Sequence, residues 1–405
     1  MTSSQQARTD VRFDDLGLAD PIVEVLTSKG FAHPFPIQAD AIPDALSGAD
    51  LCGKAKTGSG KTFAFGLPVI QQVVAGGGLQ ALILVPTREL CAQVASELRP
   101  FAKAMGVSVV EVYGGVSMQK QIDGIEAGAE VIVATPGRLI DLQDREAVAY
   151  DQVKMVVLDE ADQMGDMGFM PQVEYIWRQV PDGHQSMLFS ATLDGAIDHL
   201  IRRRLTNPVR HEVASDTVSV EQMEHRFLLV HHRDKLAVAA RVAESAERVL
   251  VFTQTKRMAD RVAGDLRDAG VQARAIHGDL PQAKRQQALD RFTEGKTPVL
   301  VATNVAARGL DIDDVDLVIH YDPPSDAKTF LHRSGRTARA GRSGMVVTLT
   351  EWDQETAVQA MQREAELDHE IVKMYSSDDR LDDLWAWEPP RRAPEPKRSK
   401  RRRRR

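Results

Sequence analysis

Short apolar runs recur along the chain, and segments with helix-compatible spacing of apolar positions separate them. Five such runs lie in the first half, at 81–85, 107–112, 131–133, 155–158 and 187–189. Five more lie in the second half, at 227–230, 249–252, 299–301, 317–319 and 345–349. Repeated alternation of strand and helix is typical of parallel sheets that helices cover on both faces. The pattern therefore predicts an α/β protein with two parallel-sheet domains.

The stretch 207–222 is low in large apolar residues and begins with Asn-Pro, which favours an exposed linker. We therefore predict a first domain at 1–214 and a second at 215–365. Residues 366–405 are first acidic and then rich in proline and basic residues. Proline and like charge oppose a packed core, so we expect a low-complexity tail with a disordered basic end. For Trp385 and Trp387, docking against the second domain is favoured over stacking on a nucleic-acid base.

The charge of the chain is unevenly distributed. The formal net charge is −7, but residues 391–405 hold ten Lys or Arg and one Glu, so this segment carries +9 and the remainder −16. A basic tail on an acidic body indicates a polyanionic partner. A terminal charge run is also typical of a plain solvated tail, and the charge alone leaves both interpretations open.

Apolar and cysteine content limit the class of protein. The 405 residues are 43% apolar and 27% charged, which is sufficient for two domains with full cores. No apolar run approaches the roughly 18 residues of a membrane span, and residues 1–10 are polar, so we expect a cytoplasmic protein. Cys52 and Cys91 are the only cysteines. Their spacing argues against a disulfide framework or a structural zinc site.

An acidic tetrad follows the apolar run 155–158: Asp159, Glu160, Ala161 and Asp162. Ligands of parallel α/β sheets bind beyond the carboxyl ends of strands, so we expect these acids to perform chemistry. We predict that Asp159 holds Mg²⁺ and that Glu160 orients and deprotonates the water that attacks a γ-phosphate. Asp162 is expected to organise other residues.

A glycine-containing loop precedes the tetrad in the sequence and would supply the phosphate site. It consists of Ala55, Lys56, Thr57, Gly58, Ser59, Gly60, Lys61 and Thr62. Backbone N–H groups of such a loop wrap phosphates, Lys61 would bridge the β- and γ-phosphates, and Thr62 would ligate Mg²⁺. The alternative is a glycine turn that only opens a helix.

Phosphoryl transfer also requires positive charge at the γ-phosphate. The segment 332–339 supplies candidates in Arg336 and Arg339, which would lie on one side of the segment if it is helical. Arginines alone are equally typical of a solvated surface. Together with a phosphate loop in the other domain, they are interpreted as fingers that reach across a cleft.

Ten motifs follow one another in chain order: Gly30-Phe31 through Gln38, residues 55–62, Pro86-Thr87-Arg88-Glu89-Leu90, Gly114-Gly115, Thr135-Pro136-Gly137-Arg138, residues 159–162, Ser190-Ala191-Thr192, His277-Gly278-Asp279, residues 302–311 and residues 332–339. This series resembles the motifs of the DEAD-box ATP-dependent RNA helicases of superfamily 2. The resemblance covers roughly residues 13–350. It implies two tandem RecA-like domains that flank a cleft, with ATP and Mg²⁺ as cofactors and RNA as the partner, and without an obligate protein partner.

The resemblance also implies roles for individual residues. Gln38 would recognise adenine, Phe31 would stack on it, Phe13 would support the pocket, and Asp311 would contact the ribose. The coupling of hydrolysis to RNA would fall to Asp162, Ser190, Thr192 and His332. The residues that would bind RNA phosphates and sugars are Thr87, Arg88, Gly115, Thr135 and Arg138 in the first domain and Gly278, Gln282, Arg285, Thr303 and Asn304 in the second. Taken one at a time, several of these residues could be ordinary turn residues, helix-start residues or hydroxyls at strand ends. For the whole series in this order, that interpretation is improbable.

The sequence departs from the family pattern at Phe35, Lys56, Ser334 and Ala338, where Phe35 replaces a hydroxyl residue and Ala338 a frequent glycine. None of these changes removes a catalytic group. The predicted function is ATP-driven, local and non-processive opening of RNA duplexes. Two alternatives remain: an ATP-regulated RNA clamp or annealing chaperone that works through the basic tail, and a DNA helicase or translocase on the same core.

Overall fold

The computed structural model describes residues 10–55, 58–193, 195–213, 223–307, 312, 315–338 and 344–391. The chain divides into two compact units near residue 216. The domain boundary predicted between 214 and 215 lies outside the described residues and remains a prediction. The basic end of the predicted tail, at 392–405, also lies outside them.

Each unit contains a seven-stranded sheet. The strands of the first are β1 Leu51–Lys54, β2 Ala81–Leu84, β3 Val109–Val112, β4 Val131–Ala134, β5 Met155–Leu158, β6 Gln185–Ser190 and β7 Val209–Glu212. Those of the second are β8 Met223–Leu229, β9 Val249–Thr253, β10 Ala273–Ile276, β11 Val299–Thr303, β12 Leu317–His320, β13 Gly344–Thr350 and β14 Ile371–Lys373. Every pairing between these strands is parallel, which confirms the predicted α/β class.

Helices connect the strands. In the first unit they are α1 Asp20–Ser28, α2 Pro36–Leu46, α3 Lys61–Gln72, α4 Arg88–Ala104, α5 Met118–Glu126, α6 Pro136–Gln143, α7 Ala161–Asp166, α8 Met170–Trp177 and α9 Ala196–Arg204. In the second they are α10 Lys235–Glu244, α11 Lys256–Asp268, α12 Gln282–Thr293, α13 Asn304–Ala307, α14 Ala327–Ser334 and α15 Glu355–Glu364. Short 3₁₀ turns lie at Phe13–Leu16 and Asp379–Leu381.

The two sheets share one topology. Their strand orders are β3-β4-β2-β5-β6-β1-β7 and β10-β11-β9-β12-β13-β8-β14, so each strand of the second sheet has a counterpart seven places earlier in the chain. The register agrees as well, since Ala81 pairs with Met155 on β2 and β5, and Val249 pairs with Leu317 on their counterparts β9 and β12. Positions in one unit can therefore be compared directly with positions in the other.

Hydrophobic packing on both faces explains why the central strands are continuous apolar runs. On β5, Val157 packs into the core on one face of the sheet, whereas Val156 and Leu158 pack into the core on the other. Alternate side chains of a strand point to opposite faces, so a strand with helices on both sides is apolar at every position. Burial of each such side chain contributes about 1.5–3 kcal/mol.

Four strands do not appear among the sequence predictions: β1, β7, β10 and β14. The segment 207–222 was predicted to be a linker, but Val209–Glu212 pairs with β1. β7, β10 and β14 lie at sheet edges, where one side of the strand has no partner strand. In β7 the exposed Arg210 and Glu212 alternate with half-buried residues, and in β10 Arg274 interrupts the apolar residues, so neither strand forms an apolar run.

The second unit extends past residue 365, which corrects the predicted end of the domain. β14 pairs with β8, and the side chains of Leu381 and Leu384 are buried in the core of this unit. The Trp385 indole N–H donates to the carbonyl of Ser245 at 3.3 Å, and the guanidinium of Arg226 lies over the Trp387 ring. Both tryptophans therefore dock on the second unit, as predicted. None of the described helices combines the length and the apolar content that a membrane-crossing segment requires.

Candidate active site and nucleic-acid interface

The predicted nucleotide residues lie after three neighbouring strands of the first sheet. The phosphate loop follows β1, the acidic tetrad follows β5, and Ser190 and Thr192 lie at the end of β6. Because the strands are parallel and adjacent in the order β5-β6-β1, these segments meet at one edge of the sheet.

An ion pair joins the phosphate loop to the acidic tetrad. The Lys61 ammonium donates to Glu160 Oε1 at 2.7 Å and to the carbonyl of Ala55 at 3.1 Å. Both charged side chains are buried, with 5% and 4% exposed. Lys61 is the first residue of α3, where helix N-terminal N–H groups favour an anion. The lysine and the helix end together provide a cradle for phosphate.

Glu160 has an unusual backbone conformation. Its φ of 52° and ψ of 48° lie in the left-handed region, which costs a non-glycine residue roughly 1–2 kcal/mol. The Glu160 N–H donates to Asp159 Oδ1 at 2.9 Å, so the two acids hold one another at the turn between β5 and α7. Strain of this kind is concentrated at functional sites.

Burial perturbs the charged groups of this site. It raises the pKa of Asp159 to about 7; the Lys61 charge opposes this rise and the Glu160 charge adds to it. For Lys61, burial acts against the ammonium, but the attraction of Glu160 and Asp159 outweighs it and raises the lysine pKa. The charges on these buried groups therefore depend on one another.

Asp162 connects the tetrad to β6. Its backbone N–H donates to Ser190 Oγ at 3.1 Å, and the Thr192 hydroxyl donates to Asp162 Oδ2 at 3.3 Å. These bonds bring together three of the four residues predicted to couple hydrolysis to RNA. The fourth, His332, lies in the last turn of α14 in the second unit.

The predicted adenine residues lie near the phosphate loop. The Gln38 amide donates to the carbonyl of Gly60 at 2.9 Å, and its oxygen accepts the N–H of Phe35 at 2.8 Å. Phe31 is 43% exposed and makes an edge contact with Phe63, whereas Phe13 is buried in the core. Phe31 is therefore accessible for stacking, and Phe13 can only support the pocket.

Gly60 explains part of this geometry. Its φ is +85°, and an added Cβ would lie 2.3 Å from Gln38 Nε2 and 2.8 Å from the Phe35 ring. Phe35 cannot cap α2 as a hydroxyl residue would, and the Gln38 oxygen accepts its N–H instead. The departure at Phe35 thus places an aromatic ring directly beside the phosphate loop.

The predicted RNA residues of the first unit follow the other neighbouring strands, β3, β4 and β2. The hydroxyl of Thr87 caps α4 by accepting the N–H of Leu90 at 3.3 Å. The guanidinium of Arg88 packs over Gly115, where an added Cβ would meet Nη1 at 2.4 Å. Thr135 precedes α6, and Arg138 Nη1 donates to Gln121 Oε1 at 3.2 Å. The predicted RNA residues therefore share one half of the sheet edge, next to the nucleotide residues.

The predicted RNA residues of the second unit follow β10 and β11. Gly278 follows β10, Gln282 begins α12, and the Arg285 side chain is buried on the same helix. Thr303 ends β11, where its hydroxyl accepts the N–H of Ala306 at 3.4 Å, and Asn304 begins α13. Asn304 Oδ1 accepts a hydrogen bond from Arg333 Nε, which links this strand end to α14.

The prediction that Arg336 and Arg339 lie on one side of their segment required that segment to be helical. The described residues around Arg336 are not helical. The helix α14 ends at Ser334, Thr337 bridges to Val315, and Ala338 has a left-handed φ of 57°. The Thr337 hydroxyl donates to the carbonyl of Val315, which pulls the chain out of the helix.

Sequence reasoning missed Thr255 and Lys256. They follow β9, the counterpart of β2, and Thr255 caps α11 by accepting the N–H of Met258 at 3.2 Å, as Thr87 does for α4. Lys256 therefore corresponds to Arg88, and its Nζ lies 3.7 Å from the point where a Cβ on Gly278 would be. The signal available in the sequence was the similarity of the Pro-Thr-Arg triplet at 86–88, after β2, to the Gln-Thr-Lys triplet at 254–256, after β9.

Four predicted site residues lie outside the described residues: Lys56, Thr57, Asp311 and Arg339. Their assignments remain predictions.

Fold and site together define a class of protein: a pair of RecA-like parallel-sheet units in which one unit carries a phosphate loop and paired strand-end carboxylates. Residues 35–200 match the DEAD/DEAH box helicase family, and residues 232–341 match the helicase conserved C-terminal domain family. The chain belongs to the DEAD-box family of superfamily 2 helicases.

Relatives of this chain have been characterised by sequence and by structure. The DEAD-box ATP-dependent RNA helicase CshA of Bacillus cereus is 42% identical over 338 residues, which cover 83% of this chain and 64% of that protein. The chain therefore spans somewhat less than two thirds of that relative. Saccharomyces cerevisiae Dbp5 bound to RNA and ADP-BeF3 is 30% identical with a TM-score of 0.78, and the match covers 92% of this chain and 97% of Dbp5. A DEAD-box protein from Methanococcus jannaschii is 33% identical with a TM-score of 0.50, over 90% and 99% of the two chains.

Proposed function

We propose that this protein is an ATP-dependent RNA helicase that couples ATP hydrolysis to local, non-processive unwinding or remodelling of RNA duplexes. The observation that carries the proposal is the division of one sheet edge in the first unit. Neighbouring strands β5, β6 and β1 carry the phosphate loop and acids, and the adjacent strands β3, β4 and β2 carry the predicted RNA residues. The relatives named above include an RNA helicase and an RNA-bound structure.

In the proposed reaction, Glu160 orients the attacking water and accepts its proton, while Lys61 neutralises phosphate charge. The ion pair between these residues means that a bound γ-phosphate competes with Glu160 for the Lys61 ammonium. Phosphate binding would thereby release the Glu160 carboxylate toward the water. This exchange makes the base available only when nucleotide is present.

Magnesium fits the residues at this site. Within the described part of the chain, no cluster of three His, Cys, Asp or Glu side chains is arranged as a metal site. Mg²⁺ commonly needs fewer protein ligands, because phosphate oxygens and water complete its octahedron. The buried Asp159 carboxylate and the Thr62 hydroxyl would hold it, and the ion would neutralise charge on the phosphates.

The second unit is proposed to complete the site. Arg336 would stabilise negative charge on the γ-phosphate, with Arg339 beside it and Asp311 on the ribose. These roles require both units to close on one nucleotide. Since RNA would contact both units as well, ATP and RNA are expected to bind cooperatively.

The proposed RNA contacts are to phosphates and sugars, so binding should be largely independent of sequence, and 2′-hydroxyls should favour RNA over DNA. Thr255 and Lys256 are added to this set because they correspond to Thr87 and Arg88. A cytoplasmic location and activity without an obligate protein partner belong to the same proposal.

ATPase measurements with matched RNA and DNA strands test the substrate. We expect stimulation by RNA and a loss of turnover in Glu160→Gln with ATP and RNA binding retained. Stronger stimulation by DNA would instead support the translocase alternative. Normal turnover in Glu160→Gln would remove Glu160 from the role of base.

Removal of residues 392–405 tests the clamp or chaperone alternative. We expect strand displacement to persist, with lower RNA affinity and a shallower dependence of affinity on salt, because fewer counterions are released. Loss of strand displacement with intact ATPase activity would favour the alternative that works through the tail.

A further inference from the structure

Asp322 joins three elements of the second unit. It lies two residues after β12, where its Oδ2 accepts the N–H of Gln254 at 2.8 Å, directly after β9. Its Oδ1 lies 3.8 Å from Lys235 Nζ, which also donates to Glu351 Oε1 at 2.9 Å. The carboxylate therefore fixes the turn that carries Thr255, and a buried lysine at the start of α10 holds it in place.

The backbone of Asp322 fixes a fourth element. Its carbonyl accepts a hydrogen bond from Arg333 Nη1 at 2.8 Å, and Arg333 Nε donates to Asn304 Oδ1. The Arg333 guanidinium lies 5.2 Å from the centre of the Phe252 ring, and its side chain is buried. Arg333 thus connects the end of β12 to the end of β11, where Asn304 is a proposed RNA contact.

We propose that Asp322 is a positioning residue for RNA binding by the second unit. Through its carboxylate it orients the 254–256 turn, and through its carbonyl it places the Arg333–Asn304 pair. This inference rests on the proposed function, because the groups that it positions are the proposed RNA contacts. Asp322 itself is not expected to touch RNA.

The same contacts connect RNA binding with the arginine motif. The carbonyl of Arg333 accepts the N–H of Arg336 at 3.4 Å, so Arg333 and the proposed catalytic arginine share one turn. A displacement of the Asp322 segment would therefore reach both the RNA contacts and Arg336. In the first unit, Asp162 has a comparable place between the acids and β6.

Asp316 offers a matched control at the opposite end of the same strand. It directly precedes β12, and its Oδ2 accepts the N–H of Arg248 at 2.9 Å, directly before β9. Each aspartate thus links β12 to β9 by accepting one backbone N–H from a residue next to β9. Only Asp322 lies at the end of the strands where the proposed RNA residues are found.

The experiment compares Asp322→Asn with Asp316→Asn in the full chain. Asparagine retains an oxygen for the backbone amide and removes the charge that faces Lys235. We expect Asp322→Asn to raise the RNA concentration for half-maximal ATPase stimulation by about tenfold, with a change below about twofold in the KM for ATP. Asp316→Asn should change the RNA requirement by less than about twofold. Asp322→Glu, which keeps the charge, should recover part of the loss.

Hydrogen exchange supplies a readout that does not depend on activity. In Asp322→Asn the amides of 254–258 should exchange faster, whereas in Asp316→Asn the increase should be confined to the start of β9. Equal RNA requirements in the two variants, or unchanged exchange at 254–258, would overturn the role of Asp322 and leave the proposed function intact. Absence of RNA stimulation in the unmodified protein would overturn both.

Discussion

Replacement of Lys61 tests the charge balance of the phosphate site. Three carboxylates, Asp159, Glu160 and Asp162, are buried around one buried ammonium. Lys61→Met removes the ammonium that pairs with Glu160 and lowers the pKa of Asp159, so the buried carboxylates lose that attraction. Loss of one partner from a buried pair costs about 3–5 kcal/mol. In a unit of roughly 200 residues this lowers the melting temperature by about 6–20 °C, at 2–4 °C per kcal/mol.

Replacement of Glu160 should have a far smaller effect on stability. In Glu160→Gln the amide oxygen can still accept the hydrogen bond of the Lys61 ammonium, which at 2.7 Å is the short contact of the pair. The lysine keeps Asp159 as a charged neighbour, and the cluster loses one negative charge. We expect a change within about 1 kcal/mol in the free energy of unfolding. Both variants should abolish ATP turnover, so stability distinguishes the two residues where activity does not.

Urea unfolding with hydrogen exchange of peptides from β1 and β5 measures the first unit alone. Lys54→Met is the control, because the Lys54–Glu212 pair has the same chemistry on the surface, with side chains 39% and 63% exposed. Its loss should cost at most about 1 kcal/mol. Equal losses in Lys61→Met and Glu160→Gln, or a loss in Lys61→Met no larger than the control, would refute the reasoning.

Three further predictions follow from backbone conformation and burial. Gly115→Ala should displace Arg88 and thereby weaken RNA binding in a titration. Gly128 is the control, because its φ of 104° is also positive but the space around it is open, so Gly128→Ala should lower stability without weakening RNA binding. Ala338→Gly should raise the free energy of unfolding in urea by about 0.5 kcal/mol. Glycine relieves the backbone strain at φ 57°, but the greater entropy of the unfolded chain cancels part of that gain. A lower free energy of unfolding would contradict this prediction. Burial and the nearby Arg333 charge lower the pKa of His320 well below 6.5, so the unfolded chain binds a proton that the folded chain does not. Stability should therefore be full above pH 6.5 and decline below it, by at most about 1.4 kcal/mol per pH unit for this group, and His320→Asn should flatten the decline in melting experiments across pH.

Most of the strands that the sequence predicts are buried on both faces of the sheet, because such strands appear in the sequence as continuous apolar runs. The central strand β5 was predicted with its observed bounds because helices cover both of its sides. The first strand β1 contains a glycine and ends in a lysine, and β14 has only three residues. A strand interrupted by glycine and lysine, or only three residues long, has no apolar run of its own and is defined by pairing with partners far away in the chain, which a local pattern does not contain.

In the candidate site, likewise, residues in local motifs were predicted, whereas a residue defined by distant contacts was not. Lys61, Glu160 and Asp162 were predicted from motifs, and the structure brings them together with Ser190. The role of Arg333 was not predicted, because its partners are a carbonyl 11 residues away and a side chain 29 residues away. Hydrogen bonds to the backbone are invisible to motif analysis, since any residue type can supply the carbonyl.

The repeated topology shows why a phosphate loop is expected in the first unit and not at the corresponding place in the second. Lys235 begins α10 after β8, as Lys61 begins α3 after β1, and Asp322 has the sheet position of Glu160. The lysine and the carboxylate are therefore present in both units. Between Leu229 and Lys235 there is no glycine, so the backbone cannot wrap a phosphate as a glycine loop does. The Tyr321 ring lies 4.8 Å from the Lys235 ammonium, and Glu351 Oε1 accepts a hydrogen bond from it at 2.9 Å. The same pair of residues thus belongs to the proposed phosphate site in one unit and to the proposed clamp on the RNA contacts in the other.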